Sequence, residues 1–150
     1  MQRAIDLSIE NIKNKKGGPF GVVIVQNDKI IAEGTNLVTS TNDPTAHAEI
    51  VAIRNACKAL GNFHIPNCEM YTSCEPCPMC LAACYWAHIK TIYYGNTKHD
   101  AEHINFDDSF IYDELAIAHE QRKIPMVNFM RETAIEAFNL WKKHGEKVEY

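Results

Sequence analysis

No stretch of this sequence approaches the roughly 20 consecutive apolar residues that a bilayer-spanning helix requires, so no membrane association is expected. The first residues, Met1-Gln2-Arg3-Ala4-Ile5-Asp6, lack the hydrophobic core of a secretory signal, which predicts a cytoplasmic location. Positive charge is not in surplus. The 15 Lys and Arg stand against 19 Asp and Glu, so no overall field gathers phosphates, which counts against a nucleic-acid substrate while leaving room for a local basic patch. Internal repeats, linkers and low-complexity tracts are absent, and with 46% hydrophobic residues in 150 the chain is long enough for one core and too short to suggest two. A single domain covering residues 1–150 is expected.

What is present reads as an alternation of helices and strands. Ala4, Ile5, Ile9 and Ile12 recur at helical spacing until Lys15-Lys16-Gly17-Gly18-Pro19, which predicts a helix over roughly 2–14. The β-branched runs 22–25 and 29–32, separated by Gln26-Asn27-Asp28, predict an antiparallel hairpin. Asp43-Pro44-Thr45 is a helix-start signal, followed by an apolar face of Ile50, Ile53, Cys57 and Leu60 and a stop at Gly61. Residues 69–73 predict a third strand, Pro76-Cys77-Pro78-Met79 opens a helix to about Trp86, and 88–95 supply a fourth strand. A crossover between Gly95 and Ile124 would then lead to a parallel strand at 125–129, and Ile135, Phe138, Leu140 and Trp141 mark a last helix. The expected fold is α/β, one five-stranded mixed sheet with helices on both faces in three layers.

Six cysteines stand at 57, 68, 74, 77, 80 and 84, and in a reducing compartment the crowding of the last four suggests metal or catalysis more than disulfides. His47-Ala48-Glu49 is followed, 30 residues after the histidine, by Cys77-Pro78-Met79-Cys80, with Pro76 directly before. Two thiols three residues apart at a helix start share a face, and the helix dipole favours their thiolates. An imidazole from the earlier helix can add a third ligand. Three protein ligands, His47, Cys77 and Cys80, leave one tetrahedral position for water on a bound Zn2+, and Glu49 is the natural carrier of that water's proton. The alternative is a closed zinc site completed by Cys74 or Cys84, a non-catalytic, zinc-stabilised module that would leave Glu49 without a role. Cys57, Cys68 and Cys84 read as small buried hydrophobes, and the histidines at 64, 88, 99, 103, 119 and 144 lack partners at ligand spacing.

With His47, Glu49, Cys77 and Cys80 in place, the chain resembles the cytidine deaminase superfamily, whose zinc deaminases carry this His-x-Glu and Pro-Cys-x-x-Cys pairing. The run 42–49, Asn-Asp-Pro-Thr-Ala-His-Ala-Glu, narrows the resemblance to the tRNA adenosine deaminases and the small bacterial-type guanine deaminases. The zinc motifs are common to both, and Gly17 to Gly21 and Thr72 to Cys80, together with Phe106 to Tyr112 and the tail, carry the resemblance over nearly the entire chain. Phe106 to Tyr112 (Phe-Asp-Asp-Ser-Phe-Ile-Tyr) and the tail Glu149-Tyr150 resemble the guanine branch. The tRNA branch usually shows a short basic, glycine-rich segment after the fourth strand. Here residues 100–120 carry seven acidic side chains, Asp100, Glu102, Asp107, Asp108, Asp113, Glu114 and Glu120, with no Lys or Arg, which would repel phosphate. One departure is Ala82-Ala83, where the family more often has a glycine after the second cysteine; it touches no ligand.

The resemblance implies a cytidine-deaminase-like fold, one Zn2+ per subunit, a purine base as substrate, and a homodimer that can exchange its C-terminal segment. A purine pocket needs a stacking face and a few fixed polar groups. Asn36 is expected to bond the base through both ends of its amide, unless it is simply a turn residue closing the second strand. Phe20, after the rigid Gly18-Pro19 turn, or His47 offers the stacking ring, although Phe20 equally suits the core. Of the acidic pair, Asp107 is expected to cap a helix and Asp108 to enter the pocket and assist proton transfer. The resemblance further implies that Tyr150 closes the site, on its own or the neighbouring subunit.

Overall fold

The computed structural model describes residues 1–148; Glu149 and Tyr150, and with them the expected role of Tyr150, lie outside the described residues. The chain forms two compact units, one from Met1 to Phe110 and one from Ile111 onward.

In the first unit, helix α1 (Gln2–Lys13) leads to strands β1 (Gly21–Gln26) and β2 (Lys29–Thr35). Their turn places Asn27 and Asp28 at φ 50° and 60°, with Gln26 opposite Lys29, which is the two-residue hairpin geometry that Asn and Asp tolerate. A short helix α2 (Val38–Thr41) precedes α3 (Ala48–Leu60), then β3 (Glu69–Cys74), α4 (Pro78–Trp86), β4 (Thr91–Asn96) and a short α5 (Lys98–Glu102). The strands form one mixed sheet in the order β2-β1-β3-β4. The β1 pairings with β2 and β3 are antiparallel, and β3 and β4 are parallel across the α4 crossover.

The pleat of β1 separates two cores. Val22 and Ile24 pack with Ala48, Ala52 and Ala56 of α3, while Val23 packs with Ala4 and Leu7 of α1, so helices cover both faces. The buried stripe of α3 is therefore Ala48, Ala52 and Ala56; of the larger residues expected to line its apolar face, Ile53, Cys57 and Leu60 pack only at the margin of this core. The reason lies across the interface. A Cβ on Gly34 of β2 would stand 2.3 Å from Ala48 O and 2.5 Å from Ala52 N, so strand and helix touch through backbone, and only small residues fit between them.

Two expectations are corrected. The start of α3 is not at 43–45: Asp43 Oδ1 accepts from the Thr45 N–H and hydroxyl in a local turn, and the helix begins only after His47. The sheet has four strands among the described residues, not five. Residues 125–129 adopt no ladder, and their apolar side chains are open to solvent, Val127 at 82% and Phe129 at 81%. A short apolar run can satisfy the local preference for extended backbone, but a strand exists only where an edge accepts its hydrogen bonds.

In the second unit, α6 (Ser109–Ala116), whose first residues belong to the first unit, is followed by a 3-10 turn at His119–Gln121 and by α7 (Arg131–Lys143). Arg122 donates to the carbonyls of Leu115 and Ile117, closing the end of α6, and the Lys123 N–H donates to Glu114. No helix among the described residues is long and apolar enough to cross a membrane.

Candidate metal centre

Two helix N-termini build the site. His47 is the N-cap of α3 and Cys77 the N-cap of α4, each extended, with Pro78 at the first helical position of α4 and Cys80 one turn into it. The N-cap leaves the side chain ahead of the helix, while the free N–H groups and the helix dipole favour anionic sulfur.

His47 Nδ1 lies 3.5 Å from both Cys77 Sγ and Cys80 Sγ, and the three donor atoms all fall within 4.8 Å of one another. Bond lengths of about 2.1 Å to nitrogen and about 2.3 Å to sulfur at a tetrahedral angle require an N···S separation of about 3.6 Å, so the donor set fits zinc. Cys74 and Cys84 stand outside it, with Cys74 Sγ directed to Thr97 O and Cys84 Sγ to Met70 Sδ. Among the described residues the cluster therefore has three donors, the open count of a catalytic site.

The electrostatics follow the geometry. The Cys77 thiol is drawn down to about 4, chiefly by the hydrogen bond from Cys80 and then by His47, while Cys80 is pushed up as the partner that keeps its proton. His47 is raised, first by its bond to Cys77. Glu49, in the first turn of α3, is 6% exposed and held above the usual carboxylate range by burial. Thr72 Oγ1, on β3, lies 3.3 Å from Glu49 Oε1, a contact that nothing in the strand's sequence pattern points to.

The remaining candidates are distributed around this centre. Asp107 Oδ1 accepts from the Ser109 N–H at 2.8 Å and so serves the start of α6. Asp108 is raised, first by burial and then by the negative charge of Cys77, which places it within electrostatic reach of the cluster. Phe20 meets Phe106 edge to face at 5.0 Å, so the ring expected to stack on a base comes with an aromatic partner that sequence reasoning did not single out. Asn36 is buried at the end of β2, and its Oδ1 accepts from both Gly18 N and Val38 N at 3.3 Å. The two-ended contact expected of this amide is thereby reduced to a donor, Nδ2.

Comparison with known proteins agrees with the donor set. Residues 1–96 match the family described as the cytidine and deoxycytidylate deaminase zinc-binding region. The chain belongs to this zinc-binding deaminase family. Within it, the chain is 49% identical to the guanine deaminase of Bacillus subtilis over 150 residues, all of this chain and 96% of that protein. The X-ray structure of guanine deaminase from Bacillus subtilis matches with a TM-score of 0.97 over 99% of this chain and 95% of that one. A tRNA-specific adenosine deaminase of Agrobacterium fabrum is 47% identical, but over 77 residues, 51% of each protein.

Proposed function

We propose that the protein is a zinc-dependent hydrolase converting guanine and water to xanthine and ammonia, in the breakdown and salvage of purines in the cytoplasm. The observation that carries this reading is the full-length likeness to a guanine deaminase, beside a likeness to tRNA deaminases that spans half the chain. The acidic run from Asp100 to Glu120 supports a free base over a nucleic acid.

His47, Cys77 and Cys80 would hold the zinc, which when bound would make hydroxide available near neutral pH. Glu49 takes the proton of the attacking water and hands it to the ring nitrogen beside the carbon that carries the exocyclic amine. Burial suits Glu49 to this, since it holds the carboxyl group above its usual range and so favours the proton-carrying form. The hydroxyl added to that carbon then gives up its proton, which Glu49 or Asp108 carries to the amine; the carbonyl forms as the C–N bond breaks and ammonia leaves. Phe20 or His47 stacks on the base, Asn36 donates to it, and Asp108 accepts its N–H groups.

The two units act as one deaminase domain, and the protein works as a homodimer with an exchanged C-terminal segment. The support is the apolar surface of the second unit, where Ile124, Met126, Val127, Phe129 and Leu140 are all exposed in the single chain.

Incubation with guanine tests the function: a fall in guanine absorbance with formation of xanthine and equimolar ammonia is expected, and RNA run in parallel gives no inosine. Inosine formation in RNA without turnover of guanine reverses the assignment.

A further inference from the structure

Asn11 sits on α1 with 2% of its surface exposed, and a primary amide in that position is costly unless it is bonded. Its Nδ2 donates to Gly18 O and to Asn36 O, both at 2.9 Å. Two carbonyls converge on that atom, so it is the nitrogen end of the amide.

Asn36 is held in turn from four directions. Its backbone N–H donates to Phe20 O at 3.2 Å, its carbonyl accepts from Asn11, and its side-chain oxygen accepts from Gly18 N and Val38 N. Two N–H donors converge on that side-chain atom, so it is oxygen, and both of its lone pairs are engaged. The other end of the planar amide, Nδ2, has no partner among the described residues. The glycine pair presses on the same residue. A Cβ on Gly17 would stand 2.2 Å from Asn36 O and 2.8 Å from Asn36 Oδ1.

We propose that Asn11 is a positioning residue for substrate binding: with Gly17 and Gly18 it locks Asn36 so that Nδ2 is a fixed N–H donor. The pocket accordingly takes a base that presents a carbonyl oxygen or an unprotonated ring nitrogen at that edge, and an amine or ring N–H there meets no acceptor. The inference rests on the purine-deaminase reading above. Asn11 acts through Asn36, because its two bonds end on the carbonyl of Asn36 and on the neighbour that fixes the Asn36 side chain.

A double-mutant cycle on the zinc-loaded protein tests it. Asn11→Leu keeps the branched shape of the side chain and removes both N–H donors; KM for guanine is expected to rise about tenfold, with kcat within about threefold and zinc content unchanged. Asn36→Asp keeps the acceptor for Gly18 and Val38 and removes the donor, and adding Asn11→Leu to it is expected to raise KM no further. An unchanged KM in Asn11→Leu, or effects that multiply in the double variant, overturns the proposal. If Asn11→Leu does not fold, Gly17→Ala displaces Asn36 from the other side, and its KM effect must likewise vanish in the Asn36→Asp background; an undiminished effect has the same contrary meaning. Wild-type turnover of guanine is measured first. Its absence sinks the substrate assignment alone, and the cycle is then run on the base that the wild type does deaminate.

Discussion

Thr72 Oγ1 stands 3.3 Å from Glu49 Oε1 while also lying 2.9 Å from Cys74 O. A hydroxyl has one proton, and the shorter contact takes it, so an oxygen lone pair faces the carboxyl group. Thr72 is thereby arranged to accept from Glu49 in its protonated form, the form that delivers a proton to the base.

Replacing that oxygen by a methyl group removes one polar partner from the buried acid, which keeps its contact with Cys80. Thr72→Val is expected to lower kcat about tenfold with little change in KM, and Thr72→Ser to recover most of it. Steady-state kinetics on zinc-loaded protein decide, and an unaltered kcat in Thr72→Val removes Thr72 from the account.

Chelation is expected to abolish turnover and stoichiometric zinc to restore it. The stripped protein carries a second signature. With its thiol near 4, Cys77 is a thiolate at pH 6, whereas Cys57, Cys68, Cys74 and Cys84 are all pushed up by burial. Iodoacetamide followed by peptide mass mapping should label Cys77 first; labelling led by Cys57 would contradict the geometry.

Gly34 reports on the seat of α3. Its Cβ would meet backbone atoms of Ala48 and Ala52, which cannot turn aside. Gly34→Ala should cost about 1–3 kcal/mol in urea unfolding, and because α3 carries His47 at its N-cap, zinc affinity should fall with it.

Arg3 and Glu33 are paired at 2.7 Å, and the Arg3 hydrogen bond lowers the glutamate below its usual 4.5. A depressed carboxylate contributes stability that is present above the unfolded value and disappears as pH falls through the folded one. The stability gap between wild type and Arg3→Met should therefore be widest above pH 5, small because both groups are partly exposed, and closed in acid. A gap that persists undiminished at pH 2 assigns the difference to packing of the arginine stem.

The three zinc donors were legible in the sequence because ligand chemistry needs particular residue types at particular spacings. The hairpin and the separate elements β3, α4 and β4 were legible because short-range preferences and tertiary contacts agree there, whereas the parallel pairing of β3 with β4 across α4 was not read from the sequence. The start of α3 was not, since Asp43 makes a turn with Thr45 as readily as it caps a helix. The strand expected at 125–129 failed for a different reason: local preference names a conformation, but pairing depends on an edge elsewhere in space. Thr72 and Asn11 were invisible for the same reason, their partners lying 23 and 25 residues away.

Glu49→Gln tests the central claim most directly, because it keeps the shape of the side chain and removes its capacity to carry a proton. Zinc content, the unfolding transition and guanine turnover should be measured on one preparation. Bound zinc and an intact fold with turnover lowered by orders of magnitude are the expected result; a rate close to that of the wild type, with zinc in place, would contradict the account.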